Sequence, residues 1–88
     1  MIQLIAGRQG AGKTKSLIDM ANNLVKTNDG HIVYVDADQS QIFRLDYAIR
    51  LIQVAEYPLE TSSEFFGFVC GILSQDHDIN TVFIDGLL

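Results

Sequence analysis

The stretch Gly7-Arg8-Gln9-Gly10-Ala11-Gly12-Lys13-Thr14 matches every fixed position of the spacing G-x-x-x-x-G-K-[ST]. That spacing cradles phosphate only where a strand leads into the glycine turn and a helix leads out of it, so it constrains the fold as well as the chemistry. Both flanks are of the required kind. Met1-Ile2-Gln3-Leu4-Ile5-Ala6 is a short apolar run that reads as a buried strand, and Leu17, Ile18, Ala21, Leu24 and Val25 recur at the spacing of one helix face.

Each residue type in the loop has a physical task. Gly7 and Gly12 accept backbone conformations closed to other residues and put no side chain between main chain and ligand. The successive N–H groups of Arg8, Gln9, Gly10, Ala11 and Gly12 can then point into one concavity, which is an anion site. A helix starting near Gly12 adds its positive end, Lys13 adds a mobile point charge for terminal phosphates, and the Thr14 hydroxyl is a ligand for magnesium. The chain carries a net charge of −5, which argues against a general nucleic-acid-binding surface. Yet Arg8, Lys13 and Lys15 are three of its six cationic residues, so positive potential gathers at the loop.

With 88 residues the chain has material for one small domain and a single modest core, and at 48% hydrophobic and 19% charged residues it is globular. Cys70 is the only cysteine, which excludes an intrachain disulfide; within an apolar helix pattern it reads as a buried structural thiol. No stretch has the length of a membrane-spanning helix and no basic leader precedes the opening run, so membrane insertion is not expected and the expected location is the cytoplasm.

The first helix is expected from about residue 12 to 26, ending in the polar turn Thr27-Asn28-Asp29-Gly30. His31-Ile32-Val33-Tyr34-Val35-Asp36 is β-branched and aromatic and reads as a second strand that runs into Asp36-Ala37-Asp38. Carboxylates just past the C-terminal end of a strand in an open α/β sheet lie on the ligand-binding edge. Asp36 and Asp38 are therefore candidates to hold magnesium through water or to orient an attacking water, against the alternative of helix capping or a solvated turn. His31, at the opposite end of that strand, reads as structural, and His77 as a solvated loop residue. In residues 39–47, Ile42, Phe43 and Leu45 could line one side of a short helix, but the segment is too brief for its period to decide. Residues 49–54 favour a third strand, with Arg50 and Gln53 near its exposed ends, and Tyr57-Pro58 interrupts regular structure. Thr61-Ser62-Ser63-Glu64 has the form of a capping box. The helix it opens is expected to bury Phe65, Phe66, Val69, Ile72 and Leu73 on one face, with Gly67 and Gly71 allowing close packing on the sheet.

After the turn Gln75-Asp76-His77-Asp78, the run Thr81-Val82-Phe83-Ile84-Asp85 gives three consecutive apolar residues ending in aspartate. It resembles the Walker B element, a buried strand that delivers a carboxylate to a magnesium site. With the loop at 7–14, the chain from Met1 through Asp85 resembles the front half of a P-loop NTPase. The resemblance implies a mainly parallel β-sheet flanked by helices, an α/β fold, that binds ATP or another nucleoside triphosphate with Mg2+. It further implies Lys13 on the β and γ phosphates, Thr14 on the metal, Asp85 holding the ion directly or through water, and hydrolysis or phosphoryl transfer. Loop and Asp36-x-Asp38 together are similar to the partition and septum-site ATPases of the ParA/MinD type, although Arg8 stands where that type has its signature lysine and Gln9 where it has glycine. The RecA-like and secretion-motor ATPases are the other candidates; Gly86 follows Asp85 where many of them carry a glutamate, leaving Asp36, Asp38 or a residue beyond Leu88 to activate water.

Strands expected at 2–6, 31–36, 49–54 and 81–85 fall short of the five or more usual for the fold, so the expectation is a single, incomplete nucleotide-binding domain over 1–88, open to self-association or to a protein partner. Its expected function is that of an ATPase coupling hydrolysis to conformational change or assembly. The alternatives are a nucleotide-binding module without turnover and a small-molecule or nucleotide kinase.

Overall fold

Ile32, Val33, Tyr34 and Val35 have no polar face between them, so a strand made of them needs neighbours on both sides and cover on both faces. A computed structural model of the chain, which describes residues 2–7, 13–27, 30–36, 44–54 and 61–86, provides that arrangement. In chain order the elements are β1 Gln3–Gly7, α1 Lys13–Val25, β2 His31–Asp36, β3 Arg50–Gln53, α2 Ser62–Gln75 and β4 Ile79–Asp85. The fold is α/β, with one four-stranded sheet of order β1-β4-β2-β3 in which every pairing is parallel.

The topology decides where the helices go. The β1-α1-β2 crossover moves across the sheet in one direction and β3-α2-β4 moves back, so right-handed connections set the two helices on opposite faces. The packing agrees. Leu17, Ile18 and Ala21 of α1 pack with Ile32, Tyr34 and Phe83, whereas Phe65 and Val69 of α2 pack with Val33, Val35, Val82 and Ile84. Alternation along β2 thus feeds two cores from one strand. Asn22 of α1 also pins the chain on its way to β3: its Nδ2 donates to the Arg44 carbonyl at 2.7 Å and its Oδ1 accepts from the Asp46 N–H at 2.8 Å.

The capping box is present at α2, with the Glu64 N–H donating to Thr61 Oγ1 and the Thr61 N–H donating to Glu64 Oε1, both at 3.1 Å. Several expectations are corrected. The first strand is not buried: among the described residues β1 pairs only with β4, and Ile2 and Leu4 are exposed because α2 covers the inner strands. Phe66 is 69% exposed, and Cys70 is exposed rather than buried, because Phe65 and Val69 take the sheet-facing stripe and leave both on the outer side. Gly67 and Gly71 share that outer side with no atom within 4 Å of a modest added side chain, so they do not serve close packing. Residues 44–47 are not helical; residues 39–43 and Tyr57-Pro58 lie outside the described residues. The third strand is shorter than expected, Arg50–Gln53, and the fourth starts earlier, at Ile79.

Candidate functional site

The strand register gathers the aspartates. Gly7 pairs with Asp85, Asp85 with Asp36, and Asp36 with Gln53, so one row of the sheet at its C-terminal edge reads Gly7, Asp85, Asp36, Gln53. Residues paired across a parallel ladder project from the same face, and neighbouring strands lie roughly 4.8 Å apart. The face is that of α1, since Tyr34 and Phe83, each two residues before an aspartate of the row, both pack on α1. Asp36 and Asp85 are 0% and 1% exposed. Two adjacent carboxylates in such surroundings call for hydrogen-bond donors or a cation.

One donor is a residue that motif reasoning passed over. The Tyr34 hydroxyl donates to Asp85 Oδ2 at 2.8 Å in a buried contact. Burial first, then the hydrogen bond to Asp85 and the charges of Asp85 and Asp36, push the Tyr34 phenol far above its ordinary range, so it remains a donor at any physiological pH. The signal was present in the sequence: Tyr34 stands two residues before Asp36 and therefore on its face.

The N-terminus of α1 is at this same edge. Leu17 lies against Gly7 at the C-terminal end of β1, while Leu24 and Thr27, at the far end of the helix, line a groove with Gln3 at the start of that strand. Lys13 is the first residue of α1, Thr14 is half-buried in its first turn and Lys15 is exposed. That turn contains no acidic residue to offset the positive helix end. Gly7 does not take the positive φ expected of it; what favours glycine there is space, since a Cβ would come within 2.8 Å of Leu17 Cδ1. Gly86 closes the edge from the other side: its N–H donates to the Gly7 carbonyl at 3.0 Å, at a φ of 91° that side-chain-bearing residues rarely adopt. Arg8, Gln9, Gly10, Ala11, Gly12 and Asp38 lie outside the described residues.

The hard oxygen donors of Thr14, Asp36 and Asp85 are of the chemical type that suits magnesium, and the lysines and bare helix end suit phosphate. At the opposite edge, His31, Asp76 and Asp78 also bring ligand-type atoms within 4.8 Å of one another. There the countercharge is already in place. The His31 ring lies 2.6 Å and the Arg50 guanidinium 2.8 Å from Asp76 Oδ2, and the Asp78 carbonyl accepts from the His31 N–H, so the group ties α2 to the starts of β2, β3 and β4. The structural role expected of His31 is met, and His77 is exposed in the adjoining turn. Among the described residues no helix is long and apolar enough to cross a membrane. Comparison with protein-family models, with curated proteins and with solved structures finds no match to this chain.

Proposed function

We propose that this chain binds a nucleoside triphosphate with magnesium at the C-terminal edge of its sheet, and that it acts as a P-loop ATPase. The observation that carries this reading is the row Gly7, Asp85, Asp36, which brings the start of the phosphate-loop motif and two buried carboxylates together at the edge from which Lys13-Thr14 begins α1.

In this reading the α1 N-terminus and the Lys13 ammonium neutralise phosphate oxygens, and the motif's backbone N–H groups cradle them. Thr14 and Asp85 hold the metal, whose chemistry when bound is to offset charge on the β and γ oxygens. Asp36, beside Asp85 in the row, orients a water molecule or accepts its proton. Tyr34 holds Asp85 in place from below.

Titration of ATP with and without Mg2+, followed by calorimetry, tests binding. The expectation is magnesium-dependent affinity that Lys13→Ala weakens by about tenfold or more, the worth of a hydrogen bond to a charged group. Unchanged affinity in Lys13→Ala would sink the proposal. Phosphate release, measured on wild type and Asp36→Ala, then separates an ATPase from a module that binds without turnover.

A further inference from the structure

The geometry points to Tyr34 as a positioning residue that sets cation preference: its phenol holds Oδ2 of Asp85, so that this carboxylate has one oxygen fewer for a metal ion and favours magnesium over calcium. This rests on the nucleotide and magnesium reading above. Tyr34 and Phe83 are register partners, with ring centroids 6.0 Å apart and planes 15° from parallel, and both are essentially inaccessible to solvent. The Tyr34 ring therefore has no room to swing. Its hydroxyl reaches diagonally along the sheet to the carboxylate two residues beyond Phe83, which fixes the rotation of that carboxylate as well as satisfying one oxygen.

The two cations differ in what they ask of a carboxylate. Magnesium demands near-octahedral geometry and commonly takes one oxygen from each carboxylate, whereas calcium takes six to eight oxygens and often both from the same group. An Asp85 with Oδ2 already engaged suits the first demand and handicaps the second. Nothing in the phosphate-loop motif requires a tyrosine at this place, so the preference would be a property of β2 and not of the loop.

The test measures the dissociation constant of ATP in Mg2+ and in Ca2+ for wild type and Tyr34→Phe, with thermal melts to verify folding. Wild type should prefer Mg2+. Tyr34→Phe should narrow the Mg2+/Ca2+ ratio by about tenfold, chiefly by tightening the calcium complex, as expected for release of one charge-assisted hydrogen bond. A residue that merely supports the fold would weaken both complexes alike, and an unchanged ratio overturns the inference. Where Tyr34→Phe does not fold, 3-fluorotyrosine in place of Tyr34, Tyr47 and Tyr57 keeps the ring shape and strengthens the donor. The ratio should then widen, and a ratio equal to that of unlabelled protein overturns the inference. Wild-type protein that binds no nucleotide with either cation sinks the nucleotide reading and this one with it. Wild type that binds, while the variant keeps the wild-type ratio, sinks only the role of Tyr34.

Discussion

Replacing Gly7 by alanine tests whether the first turn of α1 closes on the end of β1, the contact that sets the start of the helix at the edge carrying the row of aspartates. The new Cβ would meet Leu17 Cδ1 at 2.8 Å, Cγ at 3.4 Å and Cδ2 at 3.8 Å. Carbon atoms rest about 3.5–4.0 Å apart, so the closest contact is short by about 1 Å. Leu17 is only 5% exposed and sits in the α1 core, so the relief must come from an off-rotamer side chain or a shifted helix, at about 1–3 kcal/mol. Lower entropy of the unfolded chain returns about 0.4–1 kcal/mol, and Gly7 is not at positive φ, so alanine meets no backbone penalty. The expected net cost is about 1–2 kcal/mol.

Leu17→Ala alone should cost about 2–5 kcal/mol, but it deletes all three atoms that the new methyl would strike. In that background Gly7→Ala should be neutral or mildly stabilising. The double-mutant cycle, followed by urea denaturation with m-values checked for constancy, should therefore show a coupling of about 1–3 kcal/mol. Additivity within about 0.5 kcal/mol would refute the contact and, with it, the placement of the helix end.

Thr61→Ala removes the acceptor of the Glu64 N–H in the capping box and should cost about 0.5–2 kcal/mol in denaturation, with Thr61→Ser retaining most of the stability. The His31 hydrogen bond, followed by the Asp78 N–H and the charges of His31 and Arg50, holds the Asp76 carboxyl below its ordinary value of 3.8. Because the folded value is the lower one, this stabilisation is complete above the unfolded pKa and is lost as pH falls through the folded pKa. Asp76→Asn should accordingly flatten the acid side of the stability profile below about pH 4, as read from denaturation midpoints across that range.

How far the sequence reaches depends on how local each determinant is. The strand from His31 to Asp36 was legible to the residue because its β-branched and aromatic run is bounded by a glycine turn and an aspartate. The start of α2 was legible because a capping box is a contact between residues three apart. Burial of β1 was misjudged for the opposite reason. Gln3–Gly7 looks as apolar as an inner strand, and only the order β1-β4-β2-β3 makes it an edge. Phe66 and Cys70 lie outside because helix periodicity fixes which residues share a face but not how wide the covered stripe is; Phe65 and Val69, with Ile72 and Leu73 packed against the same core, make up that stripe. At the site, Asp36 and Asp85 were legible singly as strand ends. Their meeting depended on β4 inserting between β1 and β2, a register established by residues 49 apart in the chain, and the Tyr34 to Asp85 bond spans 51.

The row of aspartates also runs against the interest of the core around it. From Ile32 through Val35 and from Val82 through Ile84 the two inner strands are buried, and each then ends in a wholly buried aspartate. Valine or isoleucine at either place would extend the same packing. A polar side chain of this kind costs free energy to bury unless it is hydrogen-bonded, and two of them in one register row raise that cost. For a small domain, whose net stability is about 5–15 kcal/mol, that is a large fraction of the total. The Tyr34 hydroxyl, which donates to Asp85, recovers part of it. A chain under selection for stability alone has no reason to carry this pair. Departures of this kind, where a local rule of core composition is broken twice in one register row, concentrate where proteins bind and react, and Asp36 and Asp85 make theirs beside the phosphate-loop motif.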